Sequence, residues 1–261
     1  MPKIQVFNAN HQCLARAEQP GEVELFYGAE YRPGDYLAVT LDEGCVYGAV
    51  RLDAALDEAQ VYLPGGRMTY RIEHGEGRLA FAPQAFAGAR HVIVARALDD
   101  AARRVYRNVA LNPADQRGEA DAYPHAHANV ETRGEAVFAA RNVIDGMRLN
   151  SSHGEWPFQS WGIGARTDAH LTVEFGRPVR VDAMALTLRA DFPHDAYWTR
   201  ATVVLSDGTE QTFPLQRAAG RQRVELGEHT VTWMRLERLQ KSGDPSAFPA
   251  LTEWEIYGRD A

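Results

Sequence analysis

Lysine is almost missing from this chain: Lys3 and Lys241 are the only two among 28 basic residues, so arginine carries the positive charge. Cysteine is as scarce. Cys13 and Cys45 stand apart with no CxxC spacing, so two buried or idle thiols are expected in preference to a disulfide. An excess of positive charge is also lacking. The net charge of -7 argues against a nucleic-acid partner, which usually demands a basic face. No apolar run is long enough to span a bilayer, and Met1 to Gln12 lacks the basic-then-apolar pattern of a secretory leader. The chain as written is expected in the cytoplasm, and outside the cell if a leader was trimmed from it. A P-loop, a dinucleotide fingerprint, a nucleophile elbow and a His-Glu-x-x-His helix are all absent.

What remains is an ordinary globular composition, 45% hydrophobic and 24% charged over 261 residues, enough for two domains with real cores. From Gly21 to Arg96 the pattern is strand, turn, strand. Val23, Leu25 and Tyr27 alternate with polar residues, as a half-buried strand does. Tyr36 to Leu41, Val46 to Leu52, Gln60 to Leu63, Met68 to Ile72 and His91 to Ala97 continue the series. Arg32-Pro33-Gly34-Asp35 and Pro64-Gly65-Gly66 break it. Asp99 to Tyr106 reads as a short helix or a polar return. Many short strands at close spacing predict an antiparallel β-sandwich. Tyr31, Asp35, Tyr62, Arg90 and His91 read as scaffold in preference to the lining of a groove.

Periodicity fades from Asn108 to Asn129, where Asn112-Pro113, Gly118 and Tyr123-Pro124 collect, and a domain boundary is set near Gly118. Residues 1–118 then form an N-terminal β-sandwich, and residues 119–261 form a second one. In that second half His170 to Phe175 and Val179 to Leu188 read as strands around a Gly176-Arg177-Pro178 turn. Arg200 to Leu205 and Thr209 to Leu215 flank Ser206-Asp207-Gly208, a hairpin signal that suits a type I′ turn. Val231 to Leu236 and Thr252 to Tyr257 complete an all-β set.

Asn142-Val-Ile-Asp145-Gly146, the later Trp161, the run His170 to Asp182, Ser206-Asp-Gly208 and the closing Glu253-Trp-Glu-Ile-Tyr-Gly258 carry a resemblance. Together they resemble a discoidin-type domain, the fold of coagulation-factor C domains and family 32 carbohydrate-binding modules. The resemblance covers roughly Asn129 to Arg259 and implies a galactose-binding-like jelly roll. It also implies a structural calcium ion near Asp145. The matching ligand positions are Asn142, Met147 and Asn150, mostly through backbone oxygens, with the Glu253 carboxylate. Oxygen-only ligation of this kind suits calcium. The long insertion between Asp145 and Trp161 departs from typical members, so their ligand specificity does not carry over.

Three constellations offer chemistry. The first joins His153, Glu155, Trp156 and Trp161 to Arg189, Asp191, His194 and Trp198 on loops at one end of the jelly roll. Aromatic faces stack on a pyranose while charged groups bond its hydroxyls, so the expected partner is a carbohydrate. The second is the calcium site. The third is His125, His127 and Glu131, whose i, i+2 histidines and following acid nearly copy the first cupin motif and offer a transition-metal triad. Non-catalytic binding of a sugar or sugar-derived ligand is the principal reading. A carbohydrate-active lyase or isomerase using the loop cluster or the His125/His127/Glu131 site is the rival, and a docking surface for a protein partner is the third.

Overall fold

Alternation decides the first half. Val23, Leu25 and Tyr27 are buried while Glu22, Glu24 and Phe26 face out, the two-residue period of a strand with one wet face. In the computed structural model, which describes residues 1–118, 120–151, 154–190 and 196–261, eight such strands build the first sandwich. They are β1 (Lys3–Phe7), β2 (Cys13–Glu18), β3 (Glu22–Tyr27), β4 (Tyr36–Thr40), β5 (Tyr47–Arg51), β6 (Ala59–Tyr62), β7 (Arg67–Arg71) and β8 (His91–Ala97). The sheet β2-β1-β4-β7 faces the sheet β3-β8-β5-β6, and all pairings are antiparallel. Ile4, Leu37 and Val39 from one layer meet Val23, Val61 and Ile93 from the other in a single core. Cys13 and Cys45 are free thiols.

A short helix α1 (Asp100–Arg103) follows, its first turn capped by the Asp99 carboxylate, which accepts from the Ala102 amide at 2.7 Å. Strand β9 (Arg107–Asn108) then already belongs to the second half, since Asn108 pairs with Tyr257 on the last strand. The segment around Gly118 is tied to both halves, to the second by the Arg117–Glu131 pair at 2.6 Å. Asp121 and Gln116 side chains accept from the Thr69 and Arg71 amides along the open edge of β7, and Tyr123 bridges to Tyr62. Side chains thus cover an edge that would otherwise present unpaired N–H groups.

The second sandwich holds β10 (His125–Ala128), β11 (Trp161–Gly162), β12 (Leu171–Leu188), β13 (Trp198–Leu205), β14 (Glu210–Pro214), β15 (Gln222–Lys241) and β16 (Ala250–Asp260). The turn expected at Gly176-Arg177-Pro178 is a bend inside one long strand. Before it β12 pairs with β10 and β15, and after it with β16 and β15, so β12 and β15 cross from one layer to the other. Gly176 makes this possible: its φ is +66°, and a Cβ there would lie 2.5 Å from the Tyr123 ring. The β13–β14 hairpin closes differently from the expected type I′ turn. Gly208 alone takes a positive φ, with the Gly208 amide bonded to the Leu205 carbonyl, so a single left-handed glycine ends the turn. Trp161, Trp198 and Trp254 fill the core between the layers with Phe175, Met184 and Leu236. Among the described residues no helix is long and apolar enough to cross a membrane.

Candidate functional site

A 3-10 turn over Ala140–Ile144 delivers Asp145 to the seam between the two sandwiches. Arg141 on this turn is buried and anchors it, donating to the carbonyls of Asp115 (2.8 Å) and Pro113 (3.1 Å), with its guanidinium 4.5 Å from the Phe81 ring centre. The Asn142 amide donates to the Ala136 and Ser160 carbonyls and its oxygen accepts from Arg141. That side chain is committed to the fold, so only the Asn142 main-chain oxygen is left for an ion.

Asp145 makes the Asx turn that an Asp-Gly pair favours. Its Oδ1 accepts from the Met147 amide at 2.8 Å, while Oδ2 lies 3.5 Å from the Gln159 amide nitrogen and 4.0 Å from Arg141. The next amide, Gly146, donates to Glu253 Oε2 at 3.2 Å. Glu253 is fully buried, and among the described residues its other oxygen, Oε1, has no hydrogen-bond partner. Burial pushes the Asp145 carboxyl up to about 6, against the opposing pull of Arg141. Burial, reinforced by the Asp145 charge and then that of Glu255, pushes Glu253 well above the usual carboxylate range. Burial and the Asp145 charge thus disfavour a charged Glu253 as long as no cation lies beside it.

Beside them opens a cleft of about 160 Å³, walled by Asp57 and Phe81 from the first sandwich and by Asp145, Trp156 and Gln159 from the second. Trp156 is half-buried there. Asp57, Phe81, Arg141 and Gln159 escaped the sequence reading. Gln159 lies in the loop already singled out, but Asp57 and Phe81 reach the site only through contact between distant segments.

The expected loop cluster comes together only in part. Trp161 and Trp198 have no exposed surface. Trp161 is held in β11 opposite Leu251, its indole N–H donates to the Val130 carbonyl at 2.8 Å, and the two rings pack at 6.1 Å. Both are core residues and no ligand reaches them, which corrects the sequence reading. Arg189 is also buried, its guanidinium 5.9 Å from the Phe158 ring, where packing under the loop uses it. Glu155 is exposed and Asn150 half-buried on the same loop. His153, Asp191 and His194 lie outside the described residues.

The three residues of the cupin-like motif engage separate partners. His125 Nδ1 meets the Asp115 carboxylate at 2.8 Å in a buried pair, and His127 meets Glu174 at 3.3 Å on the surface. Glu131 accepts from the Ala140 amide and pairs with Arg117 at 2.6 Å. Among the described residues no three His, Cys, Asp or Glu side chains gather closely enough to hold a metal by themselves.

No protein family and no curated protein matches the chain. Solved structures do. Chitosan-binding module 1 from a chitosanase/glucanase of Paenibacillus sp. IK-5 is 21% identical, with 58% of this chain covering 98% of that one at a TM-score of 0.40. The family 32 module of Clostridium perfringens NanJ, solved with galactose, is 18% identical, with 51% of this chain covering 91% of that one at 0.39. The family 32 module of Streptococcus pneumoniae EndoD is 13% identical over 52% of this chain and 97% of its own, at 0.41.

Proposed function

We propose that the cleft beside Trp156 binds a carbohydrate without transforming it. One observation carries the reading: a half-buried indole shares a single cleft with the carboxylates of Asp57 and Asp145 and the amide of Gln159. A pyranose has an apolar face for a ring to cover and a rim of hydroxyls that carboxylates and amides accept from or donate to in fixed directions. The test is a panel of mono- and oligosaccharides screened on an array, followed by calorimetry of the hits and mass spectrometry of the recovered ligand. Retention of a glycan by the intact protein, its loss in Trp156→Ala and recovery of the ligand unchanged are the expected results. Consumption of the glycan would convert the reading to an enzyme's. Retention untouched by Trp156→Ala would move the site elsewhere.

Calcium is the fitting occupant of the space between Asp145 and Glu253. The residues suit it because Glu253 Oε1 is buried with no hydrogen-bond partner among the described residues, a costly condition that a cation relieves. The Glu253 carboxylate and main-chain oxygens of Asn142, Met147 and Asn150 would hold the ion, with Asp145 adding charge close by. Bound calcium would supply rigidity to the 145–160 loop and no reactive chemistry. Chelator should lower the melting temperature and added calcium restore it, by about 2.7 kcal/mol at a hundredfold excess over Kd. Glu253→Gln should abolish the response. A calorimetric titration of chelator-treated protein without heat would end this assignment.

A further inference from the structure

Arg180 and Arg259 stand directly opposite each other on the antiparallel strands β12 and β16. Like charges in that arrangement destabilise a sheet. The two strands are drawn tightly together at this point, since a Cβ on Gly258 would clash with the Arg180 carbonyl oxygen. Little in the fold compensates the pair. Arg180 is exposed and forms no ion pair among the described residues. Arg259 reaches Glu228 at 3.8 Å, and that acid is 66% exposed.

Arg104, at the C-terminal end of α1, brings a third guanidinium to the same place. Arg104, Arg180 and Arg259 line one surface cavity of about 470 Å³ with Asp260 and Ala261. The acids around it are already engaged. Asp260 is shared by Arg103, Arg107 and Arg177. Asp100 pairs with Arg103 at 2.8 Å and lies 3.9 Å from Arg104. Asp182, two residues along β12 from Arg180, accepts from the Tyr106 hydroxyl. Guanidinium groups therefore outnumber carboxylates here, the one at Ala261 included, on a chain whose net charge is -7.

We propose that this cavity is a second binding site, for a small tetrahedral oxyanion: sulfate or phosphate, free or as the monoester of a small molecule. The site is independent of the Trp156 cleft. Guanidinium groups arriving from a helix end and two strands can each bond a different oxygen of such a group through charge-assisted hydrogen bonds. A carboxylate offers only two oxygens to three arginines. A long polyanion would meet the excess negative charge of the remaining surface, whereas a single small group is screened from it beyond about 8–10 Å. A bound oxyanion would also relieve the repulsion between Arg180 and Arg259, so occupancy should stabilise the fold.

The test titrates the full chain by calorimetry with sodium sulfate, sodium phosphate, a galactose sulfate and a galactose phosphate, against sodium chloride at matched ionic strength. At least one of the four should give a saturable heat that chloride does not. Arg180→Gln and Arg259→Gln should each weaken that binding roughly tenfold. Without added oxyanion, Arg180→Gln should hold or raise the melting temperature, because it removes one member of the like-charge pair. A sugar ester that binds more tightly than its free ion assigns the site to the ester, and equal affinities assign it to the ion. No saturable heat beyond that of chloride, a heat indifferent to both variants, or binding of a sulfated polysaccharide alone would overturn the site. A melting temperature lowered by Arg180→Gln in the absence of oxyanion would do the same, since the arginine would then be serving the fold. None of these outcomes touches the carbohydrate reading of the Trp156 cleft, which stands or falls on its own variant.

Discussion

Trp156 and Trp161 share one loop and differ in everything that decides what a tryptophan does. Trp161 sits in the β11 pairing with β16, its N–H satisfied by a carbonyl and its ring enclosed by the core. Trp156 is half-buried on the cleft wall. A fully enclosed ring cannot be removed without a cavity. Trp161→Ala should therefore cost about 3–5 kcal/mol of stability in a denaturant titration. Trp156→Ala should cost about 1 kcal/mol or less in the same titration. It should weaken the ligand roughly five- to hundredfold, the equivalent of about 1–3 kcal/mol. If the two variants exchange these behaviours, the cleft has been assigned to the wrong ring. Composition shows a loop rich in aromatics, but which ring faces out depends on a partner strand far along the chain, and no local pattern records that.

At the scale of elements, β10 is held to the second sandwich by β12 and to the 113–116 segment by a buried ion pair. His125 Nδ1 and the Ala126 amide both bond the Asp115 carboxylate. Burial opposes a charge on His125, but the Asp115 bond and charge outweigh it and hold the imidazole above its ordinary 6.5. A histidine whose native value is raised stabilises the fold fully below the unfolded value. That contribution is lost as pH rises from 6.5 through the higher native value. The melting temperature should thus fall across neutral to mildly alkaline pH, and His125→Gln should flatten that fall as well as lower the plateau below it. An unchanged slope in the variant would show that other groups govern the window. The strand pattern of both sandwiches was legible because Val23-Leu25-Tyr27 or Met184-Leu186-Leu188 alternate or mass together as strands require. The exceptions are physical. Strand β2 is exposed along much of its length and carries Cys, Leu and Ala where a pattern needs β-branched or aromatic residues. Gly176 reads as a stop because glycine usually ends a strand, but here it bends one around the Tyr123 ring. The Asp145 turn and its carboxylate partner Glu253 were legible through the resemblance. Asp57 and Phe81 were not, since they reach the cleft across a seam between distant segments.

The whole molecule depends on that seam, and one carboxylate at the end of the last strand ties it. Asp260 receives Arg177 at 2.7 Å, Arg107 at 3.3 Å and Arg103 at 3.4 Å. Two of those guanidinium groups continue into the first sandwich. Arg103 lies 3.5 Å over the Tyr47 ring, and Arg177 lies 5.7 and 6.0 Å from the rings of Tyr47 and Tyr62. Asp260 and Arg177 are each 3% exposed, so their attraction is little screened and their desolvation is already spent. Replacing Asp260 by Asn keeps the shape but leaves Arg107 and Arg177 facing each other without that counter-charge, while Arg103 keeps only Asp100 at 2.8 Å. Breaking one side of a buried pair in this way costs about 3–5 kcal/mol. Because the cations are also the bridge to Tyr47 and Tyr62, the loss should fall on the joint between the halves as well as on β16. Scanning calorimetry of Asp260→Asn should show the thermal transition both lowered and split, the two sandwiches melting apart where the parent melts as one. Arg177→Met, which removes one cation while filling its volume, should be milder, since Arg103 and Arg107 still neutralise the acid. A single undivided transition in Asp260→Asn, at the parental temperature, would mean that the tyrosine stacking and the β9–β16 pairing hold the seam without the acid.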